Sequence, residues 1–317
     1  MTPSPLWTAS AAATATTGRQ TGDWSATGIS IDTRSLESGD LFVALSGPNF
    51  DGHDFITGAF DSGAAAALVS DVGQNSLDGS PGLIVADTLD ALRALAKAGR
   101  ARTGAKIAAI TGSVGKTGTK EALAHVLAPQ GSTSFSKSSL NNHWGVPLSL
   151  ARMPADADFG IFEIGMNHPG EIIPLVGMTR PHVAVVTAIA PAHMEFFGSL
   201  EDIARAKAEI FTGLDGGIAI INRDTEHFDL LAQSALANGA DRVISFGRSA
   251  AADMRLIECL SDATGNTVDA HWQGKPLNFR VGQPGVHWAY NSLAVLTTVD
   301  VLDGDMEAAA AALAACG

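Results

Sequence analysis

Lys106-Ile-Ala-Ala-Ile-Thr-Gly-Ser-Val-Gly-Lys-Thr-Gly-Thr-Lys-Glu121 runs from apolar residues through two glycines into a helical pattern. Residues 107–110 are apolar and predict a short buried strand, while the residues after Lys116 repeat apolar side chains at helical spacing. Between them, Gly112 and Gly115 can adopt backbone angles that are closed to other residues. The stretch therefore predicts a strand, a glycine loop and a helix in immediate succession.

A loop of this composition is typical of proteins that hold nucleotide phosphates. Its amides and the N-terminal amides of the following helix stabilise an anion. We expect Lys116 to reach the β- and γ-phosphates of ATP or GTP, and the Thr117 hydroxyl to ligate Mg²⁺. Ile110 stands where the common pattern has its first glycine, so the loop is a shorter form. The predicted nucleotide-binding residues are Thr111, Gly112, Ser113, Val114, Gly115, Lys116 and Thr117. A glycine-rich turn that binds nothing is the alternative.

Composition narrows the classes of protein and partner. The chain has 317 residues, of which 46% are hydrophobic and 17% charged, which predicts a folded protein of two domains. The formal net charge of -13 argues against a nucleic-acid partner. Cys259 and Cys316 lie too far apart in sequence for a disulfide framework. With no secretory signal and no membrane-length apolar run, we expect a cytoplasmic monomer that acts on small molecules.

The predicted fold class is α/β in two parts. Residues 1–86 predict a small N-terminal α/β domain. Residues 87–317 alternate strands and helices at the spacing of βαβ units, which predicts a P-loop NTPase-like domain with a mainly parallel sheet and ligands at its carboxyl edge. Residues 254–281 change to period-two patterning, with Gly265-Asn266 as the expected turn, and predict antiparallel strands at one edge of the sheet.

Two further segments carry polar residues where loops should leave the carboxyl edge. Glu163 ends an apolar strand, where a carboxylate needs a metal or hydrogen-bond donors to balance its burial. We interpret it as a magnesium ligand, and a carboxylate bonded to nearby amides is the alternative. Asn141 and Asn142 stand in a polar loop before a helix, and either bind substrate or cap that helix.

The histidine and lysine candidates are weaker on the residues alone. His193 is followed by Glu195, a pairing for which a buried, hydrogen-bonded histidine is the usual explanation. Lys207 falls on or beside the apolar face of a helix, and its spacing favours an ammonium that reaches solvent. The alternative is a desolvated, nucleophilic amine that reacts with carbon dioxide.

In their order along the chain, these segments resemble the Mur ligases, ATP-dependent amide ligases that build the peptide stem of the bacterial cell-wall precursor. The likeness covers essentially the whole chain. The more specific likeness is to the branch of that family that joins D-alanyl-D-alanine to UDP-N-acetylmuramoyl-tripeptide. It is carried by Ser30-Ile-Asp-Thr-Arg34 with Gly39-Asp-Leu-Phe-Val-Ala-Leu45, Asn49-Phe-Asp-Gly-His-Asp-Phe55, Asn141-Asn-His-Trp-Gly-Val-Pro147 and Glu163-Ile-Gly-Met-Asn-His-Pro-Gly-Glu-Ile172.

The resemblance implies roles for individual residues. In the N-terminal domain it implies uridine-nucleotide contacts by Ser30, Thr33 and Arg34, for which an ordinary surface turn is the alternative. In the ATP-binding domain it implies Lys116, Thr117 and Glu163 at the phosphates and first magnesium, His193 at a second magnesium, Lys207 as a carbamate beside that metal, and His287 and Asn291 on the adenine side. Relatives usually have Asn where this chain has Trp288.

The resemblance also implies a reaction and a third domain. Family members transfer the γ-phosphoryl group of ATP to a substrate carboxylate, and the incoming amine then attacks the acyl phosphate. They carry a Rossmann-like third domain beyond the segment that ends here, so we expect a two-domain fragment that does not complete the ligation alone. The alternatives are a sibling ligase that adds the third amino acid, a folylpolyglutamate synthase relative, and a non-catalytic nucleotide-binding homologue.

Overall fold

The computed structural model of the protein describes residues 5–192 and 196–316. The chain divides into two compact units, the first containing Met1–Thr103 with Pro147–Ala155 and the second Gly104–Val146 with Asp156–Gly317. The first division therefore lies at 103 rather than after residue 86, where the sequence placed it. The helix at 88–101 belongs to the first unit because it packs on that unit's own helix and sheet.

The strands and helices follow one another along the chain without long gaps. The strands are β1 (Trp7–Thr8), β2 (Arg19–Thr21), β3 (Ser25–Ala26), β4 (Gly28–Ser30), β5 (Asp40–Val43), β6 (Ser46–Gly47), β7 (Phe50–Asp51), β8 (Ala66–Ser70), β9 (Gly82–Val85), β10 (Lys106–Thr111), β11 (Thr133–Phe135), β12 (Phe159–Glu163), β13 (Val183–Val186), β14 (Gly217–Asn222), β15 (Ala240–Gly247), β16 (Met254–Asp262), β17 (Gly265–Trp272) and β18 (Lys275–Val281). The helices are α1 (Ala9–Thr16), α2 (Ile56–Asp61), α3 (Thr88–Ala101), α4 (Lys116–Leu127), α5 (Gly145–Ala151), α6 (Ile172–Thr179), α7 (Leu200–Ala208), α8 (Phe228–Ala237), α9 (Val286–Val301) and α10 (Met306–Ala312).

The first unit is a small α/β fold. Its five-stranded sheet has the order β2-β9-β8-β5-β4 and is parallel except for β2, which is antiparallel to β9. Helix α3 begins where the Asp87 carboxylate accepts the amide of Asp90, and its buried Leu92 and Leu95 face inward. Phe42 and Val69 lie in the core on the sheet.

The second unit is built on a nine-stranded sheet of order β11-β12-β10-β13-β14-β15-β16-β17-β18. Neighbours from β11 to β16 are parallel, and β16, β17 and β18 pair antiparallel. The predicted α/β class, with a mainly parallel sheet and an antiparallel edge, is confirmed. Ile110 of β10 is the partner of Glu163 in β12, and Thr111 is the partner of Val186 in β13. Three strand ends therefore meet at one edge.

The predicted turn at Gly265-Asn266 is wrong. Both residues belong to β17, and the hairpin turns at residues 263–264, because Asp262 pairs directly with Gly265. The Asp262 carboxylate accepts the Thr264 amide at 2.7 Å, so an aspartate side chain stabilises the turn that a glycine was expected to make. Asn266 is fully buried.

The core of the second unit lies between its sheet and the helices α4 and α9, which pack on each other. Leu123 of α4 and Leu293 of α9 are both fully buried in it. This packing fixes the start of α4 relative to the sheet. Among the described residues, no helix combines the length and the apolar character needed to cross a bilayer.

We expect Leu123→Ala to lower the free energy of unfolding by about 2–5 kcal/mol, since it removes a fully buried side chain and leaves a cavity. The matched control is Leu236→Ala in α8, where the leucine is 56% exposed and the expected change is about 0.5 kcal/mol or less. Denaturant unfolding of both variants measures the difference. Equal losses would contradict the location of the core.

Candidate functional site

The glycine loop joins β10 to α4 at the carboxyl edge of the sheet. Thr111 is fully buried at the end of the strand, and α4 begins at Lys116. Gly112 and Gly115 have φ values of 149° and 85°. A Cβ on Gly112 would lie 2.0 Å from the Thr187 hydroxyl oxygen. Both the backbone angle and the close approach therefore require glycine at this position.

Thr187, directly after β13, anchors the loop from the neighbouring strand. Its hydroxyl donates to the Val114 carbonyl at 2.6 Å, and the Ser113 amide donates to the Ala188 carbonyl at 2.8 Å. The Ser113 amide is therefore engaged within the protein, although the sequence placed Ser113 among the phosphate-binding residues. Within the described residues, the amides of Val114 and Gly115 make no hydrogen bond, so they remain available to an anion.

Lys116 folds back over the loop. Its Nζ donates to the Gly112 carbonyl at 2.7 Å and lies 3.4 Å from the Ser113 carbonyl. Burial lowers the pKa of Lys116, and the nearby Glu163 carboxylate partly opposes that shift. The side chain thus places its ammonium in the curl of the loop.

Glu163 is 1% exposed at the end of β12. The Thr117 hydroxyl donates to its Oε2 at 2.9 Å, and the Asn141 amide donates to its Oε1 at 2.6 Å. Three residues that are far apart in sequence therefore meet around one carboxylate. Because the donors are side chains, the alternative of a carboxylate bonded to nearby backbone amides does not describe this arrangement.

The donor set fits Mg²⁺. Thr117 and Glu163 present a hydroxyl and a carboxylate oxygen, the hard ligands that Mg²⁺ accepts, and this ion usually keeps waters and substrate phosphates as its other ligands. Within residues 5–192 and 196–316, no group of three or more His, Cys, Asp or Glu side chains is placed to hold a metal. The site thus suits an ion that arrives with a nucleotide. His193 and Glu195 lie outside the described residues.

Lys207 is buried, and the expectation that its ammonium reaches solvent is wrong. Its side chain, near the end of α7, is 2% exposed. Burial lowers the pKa of Lys207 to about 7, and the positive charge of Lys116 acts in the same direction, while Glu209 opposes it. The spacing placed Lys207 near the apolar face of the helix but did not reveal how deeply that face is buried.

A cleft of about 440 Å³ adjoins the loop. His287 and Asn291, expected on the adenine side, both line it beside Val114 and Gly115. Trp288 is not among the lining residues; its ring lies against Gly118 in the first turn of α4. Sequence reasoning missed four polar residues of the lining, although the rule that strand ends carry ligands would have found the first two: Thr187, Asn222, Asp224 and Tyr290.

Two of those residues interact at the far wall of the cleft. The Tyr290 hydroxyl donates to Asp224 Oδ2 at 2.9 Å, and Asp224 also accepts the amides of Arg248 and Ser249. Burial raises the pKa of Tyr290, and Asp224 adds to the shift. The wall is therefore polar and pre-organised.

Lys120 is the other residue that sequence reasoning missed. It lies one helical turn after Lys116 and is completely buried. Its Nζ donates to the Ser138 carbonyl at 2.6 Å and lies 3.8 Å from Glu163 Oε2. Its i, i+4 spacing from Lys116 was the available signal.

Asn142 caps a helix, as one of the two sequence alternatives proposed. Its side-chain oxygen accepts the amides of Trp144 at 3.1 Å and Gly145 at 2.9 Å at the start of α5. Asn141 instead contacts Glu163. The two adjacent amides therefore have different partners.

In the first unit, the predicted uridine-nucleotide residues form one turn after β4. Ser30 is fully buried and its hydroxyl donates to the Asp32 carbonyl at 2.9 Å. Arg34, with a side chain 88% exposed, donates from Nη2 to Asp32 Oδ2 at 2.6 Å and from Nε to Oδ1 at 2.9 Å. Thr33 is half-buried between them. The Arg34 hydrogen bonds lower the pKa of Asp32. An exposed guanidinium is thus held in a fixed orientation.

The fold and loop of the second unit define a nucleotide-binding α/β domain of the P-loop kind. The Mur ligase middle domain model matches residues 110–299, and the model of the Mur ligase family catalytic domain matches residues 25–100. The chain belongs to the Mur ligase family.

Relatives and solved structures agree with that assignment. A UDP-N-acetylmuramoyl-tripeptide–D-alanyl-D-alanine ligase of Rickettsia prowazekii is 38% identical over 90% of this chain. A crystal structure of MurF from Acinetobacter baumannii superposes with a TM-score of 0.85 at 30% identity, covering 98% of this chain and 68% of that one. MurF from Thermotoga maritima in complex with ADP has a TM-score of 0.74 at 26% identity, covering 89% and 65%. The chain spans 64% of the length of the Rickettsia relative.

Because the pKa of Lys207 is about 7 in the folded chain against a reference value of 10.5, the unfolded chain binds more protons at this residue between those two pH values. Its burial therefore costs most stability below pH 7, and the cost falls as the pH rises, by up to about 1.4 kcal/mol per pH unit. We expect Lys207→Met to raise the free energy of unfolding more at pH 6.5 than at pH 9.5.

Denaturant unfolding at the two pH values measures this difference, with Lys275→Met at an exposed lysine as the control. A gain that is independent of pH would show that Lys207 titrates normally in the folded chain.

Proposed function

We propose that this chain forms the substrate- and ATP-binding parts of an ATP-dependent ligase that joins D-alanyl-D-alanine to UDP-N-acetylmuramoyl-tripeptide. One observation carries the proposal: Lys116, Thr117 and the buried Glu163 converge at the carboxyl edge of the sheet, next to a cleft lined by His287 and Asn291. The name of the Rickettsia relative and the ADP complex of the Thermotoga structure support it.

In the proposed reaction, a carboxylate oxygen of the tripeptide attacks the γ-phosphorus of ATP, and ADP leaves. The amine of D-alanyl-D-alanine then attacks the acyl carbon, loses a proton and displaces inorganic phosphate. Phosphoryl transfer depends on positioning and on neutralising spreading negative charge. Lys116 and the free amides of Val114 and Gly115 supply both from this chain. Mg²⁺ held by Thr117 and Glu163 adds positive charge when it is bound.

Other site residues receive proposed roles in the same scheme. His193 binds a second magnesium. Lys207, with a pKa of about 7, has enough neutral amine near that pH to form a carbamate with carbon dioxide, releasing a proton. Asn141 orients Glu163, and Asn142 orders the start of α5 beside the substrate.

The first unit takes the other substrate in this proposal. Ser30, Thr33 and Arg34 bind the uridine nucleotide of the precursor, with the Arg34 guanidinium directed at its phosphates. The working form is a cytoplasmic monomer.

We expect Lys116→Ala to weaken binding of the non-hydrolysable ATP analogue AMPPCP by about 100-fold or more, because the loop loses its only cation among the predicted phosphate-binding residues. Isothermal titration calorimetry with the whole chain measures the affinity. The control is Lys97→Ala at an exposed lysine of α3, which should bind normally. Unchanged affinity in Lys116→Ala would remove the loop from the proposal.

We expect Arg34→Ala to weaken binding of UDP-N-acetylmuramoyl-tripeptide by about tenfold, since it removes a charge-assisted contact with a phosphate. Arg93→Ala is the matched control, because Arg93 is also exposed and also paired with an aspartate, Asp90, at 2.9 Å. Calorimetric titration of both variants measures the effect. Equal affinities would return the turn at residues 30–34 to an ordinary surface role.

A further inference from the structure

Lys120 is a charged side chain in an unusual place. It lies in the middle of α4, is fully buried and contacts no solvent. An ammonium removed from water is costly unless other groups compensate for its lost hydration. Three oxygens surround it: the Ser138 carbonyl at 2.6 Å, Glu121 Oε1 at 3.6 Å and Glu163 Oε2 at 3.8 Å. Lys120 therefore depends on the loop that contains Ser138 and on Glu163.

The loop depends on Lys120 in return. Ser138 has a φ of 51°, in the left-handed region that residues with a Cβ rarely occupy. The hydrogen bond from Lys120 holds its carbonyl in that conformation. Three residues further along, the Asn141 side chain donates to Glu163 Oε1 and the Asn141 carbonyl accepts the Gly165 amide at 2.8 Å. The contacts thus form a closed ring from Lys120 through the loop to Glu163 and back.

The ring leaves one carboxylate oxygen directed at the phosphate loop. Glu163 Oε1 takes the Asn141 amide, while Oε2 faces both Thr117 at 2.9 Å and the Lys120 ammonium. Complete burial keeps Lys120 itself from touching a nucleotide in the cleft. Its effect on a ligand must therefore act through Glu163 and the loop.

We propose that Lys120 is a positioning residue that balances the charge of Glu163 and locks the loop at 138–141, so that Glu163 Oε2 stays in place beside Thr117 for the Mg²⁺ that accompanies a nucleotide. This inference rests on the proposed function. It extends the site by a residue that makes no contact with the ligands. Removal of the ammonium should affect the magnesium-dependent part of nucleotide binding and spare the part that the loop amides and Lys116 provide.

The test compares ADP affinity in EDTA and in saturating MgCl₂ for the whole chain and for Lys120→Met, by isothermal titration calorimetry. We expect the affinity in EDTA to stay within about twofold of the unmodified chain, and the gain from Mg²⁺ to fall by about tenfold or more, as for other residues that orient metal ligands. Lys137→Met, at an exposed lysine of the same loop, should keep both values. Lys120→Arg, which keeps the charge, should recover part of the gain.

Two results would overturn the inference: a full magnesium gain in Lys120→Met, or equal losses with and without Mg²⁺, which would indicate a structural role alone. If Lys120→Met does not fold, Lys120→Gln decides by the same criteria, because it keeps a donor for Ser138 without the charge. Failure of the unmodified chain to bind ADP at all would instead count against the proposed function. The two failures are therefore distinguishable.

Discussion

The buried carboxylate of Glu163 is the constraint around which the second unit is organised. A carboxylate withdrawn from water has to recover its lost hydration from hydrogen-bond donors and positive charge. Thr117, Asn141 and Lys120 supply these from a helix start, a loop and a helix interior. Each of these elements has its place fixed by the need to reach one oxygen pair. The demands of a single group thus connect segments that are remote in sequence.

Parallel pairing is what brings these segments together. Because β10, β12 and β13 run in one direction, their carboxyl ends meet at the same edge, and the groups that follow them become neighbours. Thr187 shows the consequence: it follows β13, yet its hydroxyl holds the Val114 carbonyl in the loop that follows β10. The loop therefore takes its shape partly from its own glycines and partly from the adjacent strand.

Local features of the site were predictable from the sequence, and long-range ones were not. The strand, glycine loop and helix around Lys116 were predicted because each depends on residues within one short stretch, and the parallel sheet followed from the alternation of elements. The burial of Lys207 and the role of Lys120 depend on which elements pack against their helices, and a helical pattern does not specify that. The misplaced turn at 265–266 has a different cause, since Asp262 stabilises through its side chain a turn that lacks glycine.

The two lysines at the loop have an electrostatic relation that bears on the proposed chemistry. The charge of Lys116 helps to depress the pKa of Lys207, so the two ammonium groups oppose each other in a poorly hydrated site. A carbamate on Lys207 would carry a negative charge and convert this repulsion into attraction. The same low pKa supplies the neutral amine that carbamate formation requires. Burial of Lys207 thus favours both the reactivity of the amine and the stability of its product, which gives the proposed modification a physical basis within this chain.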